Sequence, residues 1–264
     1  MRIAVAQAAA STDKAANLTR VRKLVAKAAA RRPHIIVFPE AFMHDFADPS
    51  THLASVAEPI DGPFVTSLSE LARTYRIALI AGMFERSEDP ELAYNTVVAL
   101  GSDGGLLARY RKIHLYDSFG YRESDRLKGG DLEPAVAKIS GMCVGLLTCY
   151  DLRFPELSRA LVEYGAEILA VPSAWVRGPL KEDHWQTLLR ARAIENTCFV
   201  AGAGQCGPAY IGHSMVVDPM GVPVVTLGVD EGIAVAEVNR DRLEELRSRN
   251  PALQHRRFQV VPAG

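Results

Sequence analysis

Short apolar runs alternate with helical stretches from end to end of this chain, and that alternation is what most limits its fold. Ile3–Ala8 reads as a strand, and Asp13–Ala30 as a helix, because Leu18, Val21, Leu24, Val25 and Ala28 recur at helical spacing. Ile35-Ile36-Val37-Phe38 follows, an unbroken apolar run of the kind expected in a strand covered on both faces. Phe64–Arg73 reads as a helix and Ile77–Met83 as a strand. Tyr94–Gly101 and Leu106–Ile113 flank Ser102-Asp103-Gly104-Gly105, and Ser214–Asp218 and Val222–Leu227 flank Pro219-Met220-Gly221; both are hairpin signals. Between the hairpins lie the strand Met142–Thr148, the helix Pro155–Tyr164, the strand Ile168–Pro172, the helix His184–Asn196 and the strand Cys198–Gly202. Gly232–Val238 is a last strand, and Arg240–Arg249 a helix of mixed charge. Such βαβ units mixed with hairpins predict an α/β protein of mixed sheets covered by helices. No linker or low-complexity segment interrupts them, so one domain over residues 1–264 is expected. The pattern itself leaves open whether two sheets stack or one sheet winds openly.

Charge and cysteine usage narrow the partners. A net charge of −1 supplies no concentrated basic face for nucleic acid. No apolar run approaches the ~18 residues of a membrane span, and Met1-Arg-Ile-Ala-Val-Ala-Gln lacks the pattern of a secretory leader. Cys143, Cys149, Cys198 and Cys206 are too few and scattered for a disulfide scaffold, and no CxxC pair suggests structural zinc. A cytoplasmic protein acting on a small molecule, without metal or organic cofactor, is the expectation.

Cys149 sits between the strand Met142–Thr148 and the helix beginning near Pro155. A nucleophile at such a turn stands clear of the sheet with backbone N–H groups beside it, where they can hold an oxyanion. A buried structural cysteine at a strand end is the alternative. Glu40, after Phe38-Pro39, is either solvated at the sheet edge or half-buried as a general base. Lys112 lies near a strand end in Tyr110-Arg111-Lys112-Ile113-His114-Leu115; it is either a buried oxyanion donor or a surface lysine. Glu123 has weaker standing alone, and neither His114 nor His184 carries a local signature of a Cys-His dyad.

Phe38-Pro39-Glu40, Tyr110-Arg111-Lys112-Ile113-His114-Leu115 and Thr148-Cys149-Tyr150-Asp151-Leu152-Arg153-Phe154-Pro155-Glu156-Leu157 together resemble, in this order, the nitrilase (carbon–nitrogen hydrolase) superfamily. The likeness covers nearly the whole chain. It implies Cys149 as nucleophile, Glu40 as general base and Lys112 as oxyanion-stabilising lysine, with Glu123 at the place of a second family glutamate. It also implies a four-layer α-β-β-α sandwich and a homodimer or larger homo-oligomer.

Tyr150-Asp151 after the cysteine, where true nitrilases usually have Trp-Glu, resembles the amidase branch that holds ω-amidase and deaminated glutathione amidase. Trp175-Val176-Arg177-Gly178-Pro179-Leu180-Lys181-Glu182 and Gln205-Cys206-Gly207 are similar to the bacterial members of the latter group. The segment between Cys206 and Gly212 departs from them in being short.

The implied activity is amide hydrolysis through a thioester, with the Tyr150 backbone N–H sharing the oxyanion. The expected substrate is deaminated glutathione, giving 2-oxoglutarate and cysteinylglycine. The alternatives are an ω-amidase acting on α-ketoglutaramate or succinamate, a non-catalytic scaffold, or an acyl transferase of the same fold. For an acidic substrate Arg153 is a candidate carboxylate clamp, able to bond bidentately, or else the ion-pair partner of Glu156 or another nearby acid. Trp175 is either a pocket wall or packing between helices.

Overall fold

Along the early strands, neighbouring side chains leave in opposite directions and both sets are buried. Ile3, Val5, Ile35, Val37, Ala78 and Ile80 face one core, while Ala4, Ala6, Ile36, Leu79 and Ala81 face another. A sheet buried on both faces needs cover on both. In the computed structural model, which describes residues 1–261, that cover is a second sheet on one side and helices on the other.

The first sheet runs in the order Gly232–Glu237, Arg2–Gln7, Ile35–Val37, Ala78–Arg86, Ala93–Leu100, Leu106–Arg111, with Leu127–Lys128 also paired to Ala93–Leu100. Its second, third and fourth strands are mutually parallel, and antiparallel partners extend both sides. The second sheet repeats the plan. Its order is Pro223–Thr226, Met215–Val217, Phe199–Gly204, Ile168–Ser173, Met142–Leu146, Ala135–Ile139, and the parallel trio is Met142–Leu146, Ile168–Ser173 and Phe199–Gly204.

The helices Lys14–Ala29 and Pro63–Tyr75 cover the first sheet through Val21, Leu24, Val25, Phe64 and Leu68. Asp13 caps the former by accepting from the N–H groups of Ala15 and Ala16. The helices Pro155–Glu163 and Lys181–Asn196 cover the second sheet through Leu157, Leu161, Trp185 and Leu189. Gly202 admits the latter helix, since a Cβ there would lie 2.8 Å from both Trp185 and Leu189 side-chain carbons. The result is the four-layer α-β-β-α sandwich. Among the described residues, no helix is long and apolar enough to cross a membrane.

Several elements differ from the sequence reading, among them the unexpected helix Leu53–Val56 and the short strands Asp117–Ser118, Tyr121–Arg122 and Leu127–Lys128. The helix placed at His184–Asn196 begins at Lys181. Its first turn carries Glu182 and Asp183, which suit the positive end of a helix dipole but add nothing to an apolar period. The strand Ala135–Ile139 was not expected; it is a short edge strand in which only Ala137 and Ile139 are buried.

Candidate active site

The parallel strands of both sheets send their carboxyl ends toward one edge, the usual place for ligands in α/β sheets. Glu40 follows Ile35–Val37, Cys149 follows Met142–Leu146, Trp175 follows Ile168–Ser173, and Gln205 follows Phe199–Gly204.

Cys149 opens a five-residue 3-10 helix, Cys149–Arg153, and its φ of 49° puts a non-glycine residue in the left-handed region. That conformation costs about 1–2 kcal/mol and must be held by its surroundings. Asp151 is what holds it. The buried carboxylate accepts from the Thr148 N–H at 3.0 Å, Tyr110 Oη at 2.6 Å and the His114 N–H at 3.1 Å, and lies 2.7 Å from His114 Nδ1. Thr148 Oγ1 donates to the Pro172 carbonyl at 2.8 Å. The cysteine turn is thereby fastened to both sheets. Its place at the start of the helix leaves the N–H groups of Cys149 and Tyr150 without an intrahelical acceptor.

Glu40 is fully buried, beyond either exposure considered from sequence. Its Oε1 accepts from Asn95 Nδ2 at 2.8 Å and Lys112 Nζ at 3.0 Å, and its Oε2 from the Ala174 N–H at 2.7 Å. Gln205 Nε2 donates to the Glu40 carbonyl at 2.9 Å. Ala41, next in the chain, is left-handed with φ 49°, like Cys149. Gly82 makes room for this turn, because a Cβ there would sit 2.8 Å from Glu40 Cα and overlap the Ala41 nitrogen.

Lys112 is also fully buried, and its ammonium joins the two carboxylates. It donates to Glu123 at 2.8 and 3.0 Å as well as to Glu40, and Glu123 accepts in addition from the Tyr116 N–H at 2.7 Å.

These charges set one another's protonation. Burial by itself would lower the Lys112 pKa, but Glu123 and Glu40 outweigh it and hold Lys112 well above the ordinary lysine value. Burial raises the Glu123 carboxyl, Lys112 opposes the rise, and Glu40 adds to it; the net direction is upward. Burial, then the nearby Glu40 charge, push the Cys149 thiol well above its ordinary value against the pull of Lys112. Both causes favour the protonated thiol over the thiolate.

Cys149 borders a cavity of about 710 Å³ that Tyr116, Tyr150, Arg153, Trp175, Lys181 and Tyr210 help to line. Sites for small ligands commonly span about 300–1,000 Å³. Trp175 is held by its indole N–H, which donates to the Lys181 carbonyl at 3.0 Å, and it both walls the cavity and packs on Trp185, with ring centres 5.4 Å apart. The Arg153 guanidinium lies 5.0 Å from the Trp175 ring centre, and its Nη2 is 3.4 Å from His184 Nδ1. Among the described residues Arg153 has no carboxylate partner, so the ion pair with Glu156 does not form. The short segment after Cys206 does shape the mouth: Pro208, Ala209 and Tyr210 line it, and Tyr210 bridges to Val176.

His114 stacks on Phe154 with ring centres 3.8 Å apart, and its Nδ1 pairs with Asp151; neither it nor His184 pairs with the sulfur. Among the described residues, no group of three or more His, Cys, Asp or Glu side chains is disposed to hold a metal ion. Sequence reasoning did not single out Asn95, Asp151, Gln205 or Lys181 for the site. Only Asp151 had a local signal, its position within the cysteine turn.

A family model described as carbon–nitrogen hydrolase matches residues 2–248. The chain belongs to the carbon–nitrogen hydrolase family. It is 40% identical over 259 residues to a deaminated glutathione amidase of Escherichia coli O157:H7, with 98% of each chain covered. It is 42% identical over 272 residues to a deaminated glutathione amidase of Mus musculus, covering 97% of this chain and 83% of that one. Among solved structures, a mutant amidase from Nesterenkonia sp. AN1 superposes with a TM-score of 0.84 at 32% identity, over 97% of this chain and 94% of that chain. In that structure the acetamide moiety of fluoroacetamide is joined covalently to the active-site cysteine. In this carbon–nitrogen hydrolase Cys149 likewise stands at the edge of a pocket.

Proposed function

We propose that Cys149, Glu40 and Lys112 hydrolyse the amide of deaminated glutathione, releasing cysteinylglycine and then 2-oxoglutarate. The observation that carries this reading is the fully buried Lys112 ammonium held between Glu40 and Glu123 beside a cysteine in a left-handed turn.

Glu40 takes the thiol proton as sulfur attacks the amide carbon. The carbonyl π electrons move onto oxygen, and that oxyanion is met by the Lys112 ammonium and the Tyr150 N–H. The buried proton transfer moves charge from carboxylate to sulfur without changing the net charge of the floor. As the tetrahedral intermediate collapses, Glu40 returns the proton to nitrogen, the carbon–nitrogen bond breaks, and the peptide amine leaves a thioester on Cys149. Glu40 then takes a proton from water, the hydroxide attacks the thioester, and collapse expels sulfur, which recovers its proton from Glu40. Glu123 keeps Lys112 charged and aimed. Arg153 takes a substrate carboxylate, bidentately where geometry allows, and Trp175 walls the pocket.

The same reading places the enzyme in the cytoplasm as one domain and as a homodimer or larger homo-oligomer; sedimentation of the purified protein tests the assembly. The activity test is 2-oxoglutarate release from deaminated glutathione and, separately, from α-ketoglutaramate, with Cys149→Ala as control. Faster turnover of the first, lost in the variant, is expected. Turnover of α-ketoglutaramate alone would move the enzyme to ω-amidase, and full turnover by Cys149→Ala would remove the mechanism.

A further inference from the structure

The proposed reaction leaves one pocket cation unused. Lys181 opens the helix Lys181–Asn196 and is only 8% exposed, yet its ammonium finds a hydroxyl and aromatic rings rather than an acid. It donates to Tyr116 Oη at 3.2 Å and lies 4.5 Å from the Phe119 ring centre, 5.3 Å from that of Tyr116 and 6.0 Å from that of Trp175. Among the described residues no carboxylate comes within ion-pair distance of it, and the same holds for Arg153 on the same indole. The one acidic side chain lining the cavity, Glu123, is engaged by Lys112.

Lysine is almost never buried without a partner, and an uncompensated buried charge is destabilising. Aromatic faces offset part of that cost through their quadrupoles. Burial, and then the like charge of Arg153, lower the Lys181 pKa. A ligand with two carboxylates offers one to each cation.

We infer that Lys181 is a specificity residue that acts with Arg153 to select amides carrying two carboxylates, one for each cation. The inference rests on the acidic-amide reading above, and deaminated glutathione carries such a pair, one on each side of its scissile bond. The rings of Tyr116 and Phe119 lie beside the ammonium.

The test uses the Cys149→Ala protein, which binds amides without turning them over, and reads affinity by calorimetry. N-glutarylglycylglycine has both carboxylates. N-butyrylglycylglycine lacks the acyl-side one, and N-glutarylglycylglycinamide lacks the other. The diacid is expected to bind about tenfold tighter than either monoacid, the usual scale of one charge-assisted contact. Adding Lys181→Met should erase its advantage over one monoacid and leave its advantage over the other. Lys181→Arg should restore the first advantage. Equal weakening of all three ligands, survival of both advantages in Lys181→Met, or no advantage of the diacid at the outset would each overturn the inference. Turnover of deaminated glutathione is measured separately in the native enzyme. A chain that fails to hydrolyse it while keeping the diacid preference loses its substrate reading and retains the role of Lys181.

Discussion

The floor of this pocket and its wall treat charge in opposite ways. On the floor Lys112, Glu40 and Glu123 are all buried, and each charge is answered by another at 2.8–3.0 Å. On the wall Arg153 and Lys181 face the cavity with no acid between them. On the floor every charge has a partner within the protein, one ammonium serving two carboxylates. The wall is balanced only by what binds, so it chooses the occupant. On the proposed reading chemistry and selection fall to different side chains, and the two regions should fail differently.

Lys112→Met should separate them most sharply. Removing the one cation between two buried carboxylates is expected to cost about 3–5 kcal/mol of stability by urea unfolding. Losing an oxyanion donor should lower kcat by ~10²–10³ at least. The same substitution at Lys181 removes an unpaired charge and should leave the unfolding midpoint unchanged or raised. Equal destabilisation at both positions would erase the distinction between floor and wall.

Glu40→Gln comes next, with turnover reduced by ~10²–10⁴ as expected for loss of a general base. It also tests the electrostatics. A raised thiol pKa means that thiolate forms only as pH climbs through and above the ordinary cysteine range, so alkylation of Cys149 by iodoacetamide should still be accelerating at about pH 9. Removing the Glu40 charge removes a cause of that rise, and the profile should move to lower pH. A native profile that levels off below neutrality would contradict this account of the floor.

Gly82→Ala reaches the floor without touching a charge. The added methyl meets the Glu40–Ala41 backbone, and displacement of the carboxylate by up to an ångström should lower kcat about 10–100-fold with smaller change in KM. The smallest effect belongs to the wall. Arg153→Ala should raise KM for an acidic amide about tenfold, the scale of one charged hydrogen bond, with a lesser effect on kcat. A kcat loss as large as that of Glu40→Gln would place Arg153 in the chemistry instead.

Much of the fold was legible because period-2 and period-3.6 patterns are local. The helix Lys14–Ala29, the strand Ile35–Val37 and the hairpin strands Ala93–Leu100 and Leu106–Arg111 all lie within a few residues of their expected places. The edge strand Ala135–Ile139 was not legible, since only Ala137 and Ile139 of its five side chains are fully buried and no clear alternation results. Within the site, Glu40, Lys112 and Cys149 came forward because three motifs stand in order. Asn95 and Gln205 did not, because their meaning depends on Glu40, from which they are separated by 55 and 165 residues. Lys181 lay outside the helix expected at His184–Asn196, and nothing local distinguishes a buried ammonium from a solvated one.

By itself the sequence determined the alternation of strands and helices, the family and the residue types of the reactive set, because propensity, periodicity and motif order are written in consecutive residues. Only the tertiary structure decided that Glu40 and Lys112 are wholly buried, that Asp151 holds the left-handed cysteine turn, and that Arg153 and Lys181 have no acidic partner among the described residues. Burial and charge balance are properties of neighbourhoods, and in this protein those neighbourhoods form where the edges of two separate sheets meet.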